Sequence, residues 1–462
     1  MEKTNIDISK ISSDDFSKDG ILEILKNAIK IPGLSEELKD SLVANITKVK
    51  ELKVPSNATT SWFELVEDYL LLNWQIRFNQ VSFEFEYYNE EDESWQKLNE
   101  NEIYRDLKKN GITFSMSDLM ALLKSNFTPK HHPFRAYFKK LHKWDGTNYI
   151  AKLVDYLDVG EQRDRFENML LKWMVRSISC AYGEIFNKQA LVMIGGQNNG
   201  KSSLLRWLCP PALRPYYKED ISTDKDSKIA LSTNFIINVD ELSTMMKKDI
   251  NAIKSLMSTE TIKERIPYDR AASMMRRRAN FLASTDRGEF LSDEAGSVRW
   301  ICFYVDKISW NYSKEIDVEN MWSQAYKYYL LYRENEYNPQ LTRDEIQANE
   351  NYNLQFYLKG SEHEAILYLF VRGTKTDHDF HLTSTEILAI IKEFDNGKFY
   401  APRMTNILIG KALKLLQFEL HSKYKNETRY SIKGYFLKLS DNLAPGQIEY
   451  LKSKYKGIAE DV

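Results

Sequence analysis

Apolar residues recur at two different spacings in the first third of the chain. Spacings of three and four residues predict helices, and strict alternation predicts a strand. The alternating stretch is QIRFNQVSFEFEYYN. The helical stretches are DGILEILKNAIK, SEELKDSLVANITKVKELK, WFELVEDYLLLNW, ENEIYRDLKKNG and SMSDLMALLKSN, the last opening on a Ser-x-x-Asp cap. Positions 1–60 are therefore expected to form a helical segment, and positions 61–145 a small α/β domain.

From position 146 onward, helical patterns alternate with short apolar runs. A helix is expected at about 163–182, and the runs LVMI, NFIINVDEL and RANFLASTD are typical of buried strands. Such alternation predicts a parallel sheet covered by helices. VENMWSQAYKYYLLYRENE has helical spacing, and a polar stretch near 337–352 closes a domain over 146–352. Positions 353–462 form the last domain, in which 360–440 predict helix, strand-like turn, helix, helix and β-hairpin.

Composition places few limits on function. The 462 residues are 43% hydrophobic and 28% charged, with a net charge of −2, so any nucleic-acid surface must be local. Cys180, Cys209 and Cys302 are far apart and have no metal-ligand spacing, which indicates reduced thiols. No run reaches the roughly 18 apolar residues of a membrane helix, and the N-terminus lacks a signal-peptide pattern. We therefore expect a cytoplasmic protein with no membrane partner.

The stretch LVMIGGQNNGKSSLLRWL carries the clearest chemistry. Gly195 to Ser202 fit G-x-x-x-x-G-K-[ST] between a strand and a helix, the context of a phosphate-binding P-loop. Lys201 would reach the β- and γ-phosphates of ATP, and the Ser202 hydroxyl would bind Mg²⁺. A plain glycine/asparagine turn would explain neither Lys201 nor the spacing. The predicted nucleotide-binding residues are Gly195, Gly196, Gln197, Asn198, Asn199, Gly200, Lys201, Ser202 and Ser203.

An acidic pair follows the apolar run FIINV. Asp240 would hold Mg²⁺ through water, and Glu241 would polarise the water that attacks the γ-phosphate. Such a pair often caps a helix instead. Its position about 40 residues after the loop favours the catalytic interpretation.

Two further segments suit nucleotide hydrolysis. Ser284, Thr285 and Asp286 end a predicted strand and could report the state of the γ-phosphate. Arg299 precedes the next strand. In ring ATPases an arginine at this place completes a neighbour's site as a finger that stabilises transition-state charge. The alternative for Arg299 is a surface salt bridge.

A basic segment separates the acidic pair from the FLAST strand. Positions 247–278 contain nine Lys/Arg and four Asp/Glu. IKERIPY and SMMRRRANF alternate as strands around DRAA, which predicts a hairpin suited to a DNA backbone. The alternative is a solvated hairpin with ordinary surface charge. The expected DNA contacts are Lys263, Arg265, Tyr268, Arg270, Arg276, Arg277 and Arg278.

The C-terminal pattern is typical of a winged helix–turn–helix. LTSTEILAIIKEF and RMTNILIGKALKLLQF predict two helices, and ELHSKYKNETRYSIKGYFLKL predicts the wing. The second helix and the wing would contact DNA through Lys411, Lys414, Lys425 and Arg429. Many winged helices bind proteins instead.

Several segments together resemble the virulence-associated E family. They are HPFRAYFKKLHKWDGTNYIAKLVDYL, GGQNNGKSS, IINVDEL, LSDEAGSVRW and MWSQAYKYY, spread from about Leu70 to about Tyr352. The family comprises superfamily 3 helicase-like ATPases of phages and mobile genetic islands. The resemblance implies an AAA+-like core with a parallel sheet, assembled as a hexameric ring that moves along single-stranded DNA.

The resemblance also implies roles for single residues. Lys201 and Ser202 match the family's nucleotide loop, Asp240 and Glu241 its carboxylates, and Arg299 its finger. Two positions depart from the pattern. Asp286 replaces the usual sensor asparagine, so Thr285 is a substitute sensor, and Val298 replaces the first of two arginines.

The leading hypothesis is an ATP-dependent DNA helicase or translocase for replication of a phage or other mobile element. Single-stranded DNA and origin duplex DNA would be its partners, with priming supplied by a separate primase. One alternative is an origin-binding initiator with weak ATPase activity. Others are an ATP-driven regulatory or defence switch and a small-molecule P-loop kinase, the last of which leaves the basic hairpin unexplained.

Overall fold

The computed structural model describes most of the chain after position 60. The described residues are 61–222, 224–242, 247–265, 272–291, 297–395, 397, 399, 401–425 and 430–455. The two helices predicted within 1–60 lie outside them. The chain divides into two compact units, residues 1–133 and 134–462. The four-domain division expected from sequence stays a prediction.

The first unit is a small sheet with three helices. The helices are α1 (Trp62–Asn73), α2 (Glu100–Lys109) and α3 (Met116–Lys124), and the strands are β1 (Ile76–Asn79), β2 (Glu84–Asn89), β3 (Ser94–Lys97) and β4 (Lys130–His131). The strand order is β3-β2-β1-β4, with β4 parallel to β1. Apolar residues of the helices and of β2 form one core, among them Val66, Leu70, Phe85, Ile103 and Leu119.

The alternating stretch of the first unit is a hairpin rather than one strand. The Asn79 side-chain oxygen accepts hydrogen bonds from the backbone N–H groups of Val81 (2.9 Å) and Ser82 (3.1 Å) and so forms the turn. The predicted cap of α3 is present, because the Ser115 hydroxyl accepts a bond from the N–H of Asp118.

The second unit is built on a five-stranded parallel sheet, as the alternating pattern predicted. Its strands are β5 (Ala190–Ile194), β6 (Tyr217–Glu219), β7 (Ile236–Val239), β10 (Asn280–Thr285) and β11 (Trp300–Tyr304); β8 (Thr261–Glu264) and β9 (Ser273–Arg276) form a separate antiparallel pair. The sheet order is β11-β5-β10-β7-β6, and all four pairings are parallel. Every residue of β5, β7 and β10 is buried, as expected for a sheet covered on both faces.

Nine helices belong to this part of the described chain. They are α4 (Pro133–Lys140), α5 (Tyr149–Val154), α6 (Arg163–Ala181), α7 (Lys201–Trp207), α8 (Lys225–Thr233), α9 (Lys247–Met257), α10 (Tyr312–Glu315), α11 (Val318–Arg333) and α12 (Arg343–Asn353), with short 3₁₀ turns at Gly160–Gln162, Pro211–Tyr216 and Leu354–Phe356. Helices α6 and α7 contact β10, and α12 contacts β11. Large buried aromatics, including Trp173, Trp300, Trp322 and Phe235, fill the core.

Helix α12 occupies most of the polar stretch noted near 337–352. Its buried contacts are polar: the amides of Asn349 and Asn353 donate to the Trp300 carbonyl at 2.9 and 2.8 Å. No apolar stripe marks the helix for this reason. The local signal that does mark it is a capping box between Thr342 and Glu345.

The C-terminal part of the second unit shows the element order predicted for 360–440. The helices are α13 (Ser361–Leu369), α14 (Ser384–Phe394), α15 (Asn406–Leu415) and α16 (Pro445–Lys454), and the strands are β12 (Phe370–Arg372), β13 (Phe380–Leu382), β14 (Leu420–Lys425) and β15 (Tyr430–Leu439), with a 3₁₀ turn at Ala401–Arg403. Strand β15 pairs antiparallel with the other three. In α15, Ile409, Ala412 and Leu413 face a separate apolar core.

Within the described residues, no helix is both long and apolar enough to cross a membrane. All three cysteines are buried free thiols.

Candidate active site

The residues expected to handle the nucleotide follow three adjacent strands of the central sheet. Gly195–Ser203 follow β5, Asp240 and Glu241 follow β7, and Ser284–Asp286 lie at the end of β10. The strands are parallel, so their carboxyl ends meet at one edge of the sheet, where α/β proteins bind ligands. The register Ala283–Val239 places Ser284 beside Asp240.

The glycine-rich loop packs tightly against the end of β11. A Cβ atom on Gly195 would lie 2.2 Å from the Val305 carbonyl oxygen, so only glycine fits there. The Asn199 amide donates to the same carbonyl at 2.9 Å. Gly196, Gln197 and Asn198 form the exposed turn of the loop, and Ser203 is exposed in the first turn of α7.

The Lys201 amine lies inside its own loop. Its Nζ donates to the carbonyl oxygens of Gly195 (2.9 Å) and Gly196 (2.6 Å) and to the Asn199 side-chain oxygen (3.0 Å). Burial lowers the pKa of the Lys201 amine, and the nearby carboxylates of Asp286 and Asp240 oppose that shift. The Lys201 ammonium group is thus held by three neutral oxygen acceptors, which a phosphate oxygen can replace.

Ser202, Asp240 and Ser284 form a cluster of three oxygen-bearing side chains. The Ser202 hydroxyl donates to Asp240 Oδ1 at 2.9 Å, and the Ser284 hydroxyl donates to the same oxygen. The two hydroxyl oxygens are 3.5 Å apart. The sequence placed Ser284 among three residues that could report the state of the γ-phosphate, but it did not predict the contact of Ser284 with Asp240. Period-two alternation along β10 is the signal that points to it, since Ser284 and Thr285 must face opposite sides of the sheet.

The structure does not bring Thr285 to this cluster. Its hydroxyl is buried, accepts from the Arg287 N–H at 3.2 Å and donates to the Arg287 carbonyl at 3.3 Å. The choice of Thr285 as sensor stays a prediction. Asp286 instead lies against the loop, where its carboxylate accepts a bond from the Gln197 amide at 2.8 Å.

Glu241 is exposed beside Asp240 and has an unusual backbone conformation. Its φ is +51°, and its N–H donates to Asp240 Oδ1 at 3.1 Å. Asn198 and Asp220, at the same edge of the sheet, also have positive φ values of 59° and 57°. Asp220 accepts a bond from the backbone N–H of Asp240 at 3.2 Å, a contact that no sequence pattern indicated. Strained non-glycine residues concentrate at functional sites.

Arg299 lies at the amino end of its strand, whereas the loop lies at the carboxyl ends of the strands. It precedes β11, whose residues Trp300 and Tyr304 are in register with the first and last residues of β5. Gly195 is level with Val305, six residues after Arg299, so at 3.3 Å per residue the two lie about 20 Å apart along the strand direction. The Arg299 Nε donates to the Ser258 hydroxyl at 3.0 Å. Arg299 therefore does not reach the loop of its own chain.

The predicted basic hairpin is present as the β8–β9 pair. Ile262 and Met275 face inward and are buried, whereas Lys263, Arg265 and Arg276 are exposed. The Arg276 guanidinium also donates to the Gly183 carbonyl at 2.6 Å. Tyr268 and Arg270, expected at the tip, lie outside the described residues.

Arg277 and Arg278 depart from the expected DNA surface. Arg277 is 3% exposed, and its guanidinium donates to the carbonyls of Met257, Asn187 and Ala279. Burial lowers the pKa of Arg277 to about 10. Arg278 is half-buried and donates to the Ser232 carbonyl at 3.2 Å. This corrects the prediction that all three consecutive arginines face DNA, because Arg277 cannot reach a phosphate from there.

The C-terminal basic residues are divided between α15 and the β14–β15 hairpin. Lys414 is exposed on α15, Lys411 is half-buried on the same helix, and Lys425 ends β14. Arg429 lies outside the described residues. The DNA contacts expected of this part of the chain stay predictions.

A family comparison identifies the central part of the chain. Residues 138–357 match the family model described as the virulence-associated protein E-like domain. This segment is a virulence-associated protein E-like domain. The match confirms the resemblance noted from the sequence, although it begins further along the chain than Leu70. The loop, the acidic residues, the basic hairpin and Arg299 all fall within the virulence-associated protein E-like domain, whereas α13 to α16 lie beyond it.

Two other comparisons add no functional information. No curated protein sequence matches the chain. The apo structure of the NrS-1 C-terminal region (305–718) is 10% identical over 82% of this chain and 100% of that chain, with a TM-score of 0.44. The A-form apo structure of the same region is 11% identical over 78% and 87%, with a TM-score of 0.43.

Proposed function

We propose that this protein is an ATP-dependent DNA helicase or translocase that acts in replication of a phage or other mobile element, as a hexameric ring. The observation that carries the proposal is the cluster of Ser202, Asp240 and Ser284 beside a loop of P-loop sequence. The core would then be an AAA+-like P-loop ATPase, and residues 353–462 a winged-helix domain. The virulence-associated protein E-like domain supports this assignment, as does the parallel sheet.

The donor set of the cluster suits Mg²⁺, which prefers oxygen ligands and keeps several waters. Because the Ser202 hydroxyl donates a hydrogen bond to Asp240, its oxygen lone pairs remain available to the ion. Asp240 would hold one of the ion's waters through its second oxygen. Bound there, Mg²⁺ would neutralise charge on the phosphates of ATP.

The remaining roles belong to side chains of the loop and its neighbours. Lys201 would exchange its carbonyl partners for phosphate oxygens, a change that keeps its charge compensated. Glu241, exposed next to Asp240, would orient the attacking water. Arg299, too far from its own loop, would act on the site of the next subunit in a ring.

DNA would be held at two places. The exposed face of the β8–β9 hairpin offers Lys263, Arg265 and Arg276 to single-stranded DNA. The helix α15 would act as the recognition helix of a winged helix, and the β14–β15 hairpin would act as its wing on duplex DNA. A separate primase would supply priming.

ATP hydrolysis in the presence of Mg²⁺ tests the proposal. Lys201→Ala and Asp240→Asn should each abolish turnover without unfolding the chain, and Lys188→Ala, an exposed lysine just before β5, serves as the control. Hydrolysis that survives in Lys201→Ala would overturn the assignment. ATP turnover that is the same with and without DNA would favour an ATP-driven regulatory switch. DNA binding without turnover would favour an origin-binding initiator.

A further inference from the structure

Trp310 lies directly against the last residue of the glycine-rich loop. A Cβ atom on Gly200 would lie 3.0 Å from Trp310 Cζ2 and 3.1 Å from Cη2, so the indole ring contacts the Gly200 backbone. Gly200 has a φ of +92°, which already favours glycine, and the ring gives a second reason for it. The next residue is Lys201, so an aromatic ring borders the place where phosphates are expected.

The indole is largely open to solvent. Trp310 is 55% exposed, although a tryptophan usually buries most of its large apolar surface. A second flat group therefore has room to stack on the ring beside the loop.

The backbone on both sides of Trp310 is firmly held. The N–H of Ser309 donates to the Tyr156 carbonyl at 2.8 Å, and Ile308 is buried. On the other side, the Tyr312 ring packs edge-to-face on Trp207 with centroids 4.9 Å apart. The Ser313 hydroxyl also donates to the Trp310 carbonyl at 3.2 Å. Little conformational entropy would be lost when a ligand stacks on a ring that is already positioned.

We infer that Trp310 is the base-stacking platform of the nucleotide site, so that the site takes nucleoside triphosphates rather than inorganic polyphosphates. The inference rests on the proposed function, because the Gly195–Ser202 loop must first hold the phosphates. Every nucleobase has a π-face, and stacking on tryptophan gives affinity with little base preference. The platform thus explains selection of a nucleoside, and it predicts only weak discrimination between purines.

Two ligands separate this role from simple support of the loop. A non-hydrolysable ATP analogue carries a base, and inorganic tripolyphosphate carries the phosphates alone. Their dissociation constants would be measured by titration calorimetry with Mg²⁺ for the wild type, Trp310→Ala, Trp310→Phe and Lys201→Ala. Trp62→Ala is the matched control, since Trp62 is 58% exposed and belongs to the other compact unit.

Trp310→Ala should raise the Kd for the ATP analogue by about ten- to hundredfold and leave that for tripolyphosphate unchanged. Trp310→Phe should keep most of the affinity, because it retains an aromatic face. If Trp310→Ala weakens the binding of both ligands equally, Trp310 only supports the loop, and the inference is overturned. So would an effect on the analogue no larger than that of Trp62→Ala. Failure of the wild type to bind either ligand would instead overturn the proposed function itself, and the platform with it.

Discussion

The Ser284 hydroxyl donates a hydrogen bond to the Asp240 carboxylate across two neighbouring parallel strands. Asp240 also accepts from Ser202, so one carboxylate oxygen is oriented by two hydroxyl groups. This arrangement fixes the carboxylate that the proposed mechanism assigns to Mg²⁺. Residues that orient a metal-binding carboxylate in this way affect metal affinity without touching the metal.

The first prediction separates Ser284 from its neighbour on β10. Ser284→Ala should raise the Mg²⁺ concentration needed for half-maximal ATP hydrolysis by about 10-fold or more, because Asp240 loses one donor. Thr285→Val should leave this Mg²⁺ dependence unchanged, since the Thr285 hydroxyl bonds to the turn at Arg287 and not to Asp240. A changed Mg²⁺ dependence in Thr285→Val and an unchanged one in Ser284→Ala would favour Thr285 over Ser284.

A second prediction concerns the position of Arg299 far from its own loop. Arg299→Ala should lower kcat by roughly 10³-fold, as loss of an arginine finger does, while leaving ATP binding intact. Ser258→Ala is the control, because it removes the hydrogen-bond partner of Arg299 and keeps the guanidinium.

Mixing two inactive variants shows whether Arg299 acts between subunits. Protomers with Arg299→Ala keep Lys201, and protomers with Lys201→Ala keep Arg299. Mixed rings should therefore contain some complete sites and regain part of the ATPase activity. If the mixture is as inactive as each variant alone, Arg299 has no role at a neighbouring site.

A third prediction separates two consecutive arginines. Arg277→Ala should lower the free energy of unfolding by on the order of 3 kcal/mol, because three buried carbonyls lose their donor. Arg276→Ala should have a much smaller effect on stability, since Arg276 is exposed and donates to the Gly183 carbonyl. Denaturant titration of both variants gives the comparison. Equal stabilities of Arg277→Ala and the wild type would contradict the structural role.

A fourth prediction concerns DNA binding by the same hairpin. Lys263→Ala should weaken binding of a labelled single-stranded oligonucleotide and reduce the salt dependence of log K by about 0.7 per lost phosphate contact. Lys188→Ala is the control for removal of one exposed lysine. Unchanged DNA affinity and salt dependence in Lys263→Ala would mean that the hairpin carries ordinary surface charge and does not contact DNA through Lys263.

The central sheet and its loop could be predicted because their signals are local. LVMI is a continuous apolar run, and FIINV and NFLAST contain the apolar runs FII and FLA, as expected for strands buried on both faces. The glycine loop fits one motif of fixed spacing. These contiguous patterns also predict Lys201, Ser202 and Asp240 as site residues. Ser202 and Asp240 meet because both follow parallel strands of one sheet.

The remaining features depend on contacts between distant positions. Arg277 belongs to a run of three arginines that resembles a surface patch, and carbonyls distant in sequence, those of Met257 and Asn187, help to make its burial favourable. Helix α12 is polar because Asn349 and Asn353 bind a backbone carbonyl of β11. The contact between Trp310 and Gly200 likewise joins positions 110 residues apart, so no local sequence pattern predicts it.

The most direct test of the account is steady-state ATP hydrolysis of the purified chain with and without single-stranded DNA, with Lys201→Ala and Lys263→Ala alongside. The account predicts strong stimulation by DNA, no turnover in Lys201→Ala, and reduced stimulation with intact basal turnover in Lys263→Ala. Hydrolysis that is the same with and without DNA would contradict a DNA-driven motor.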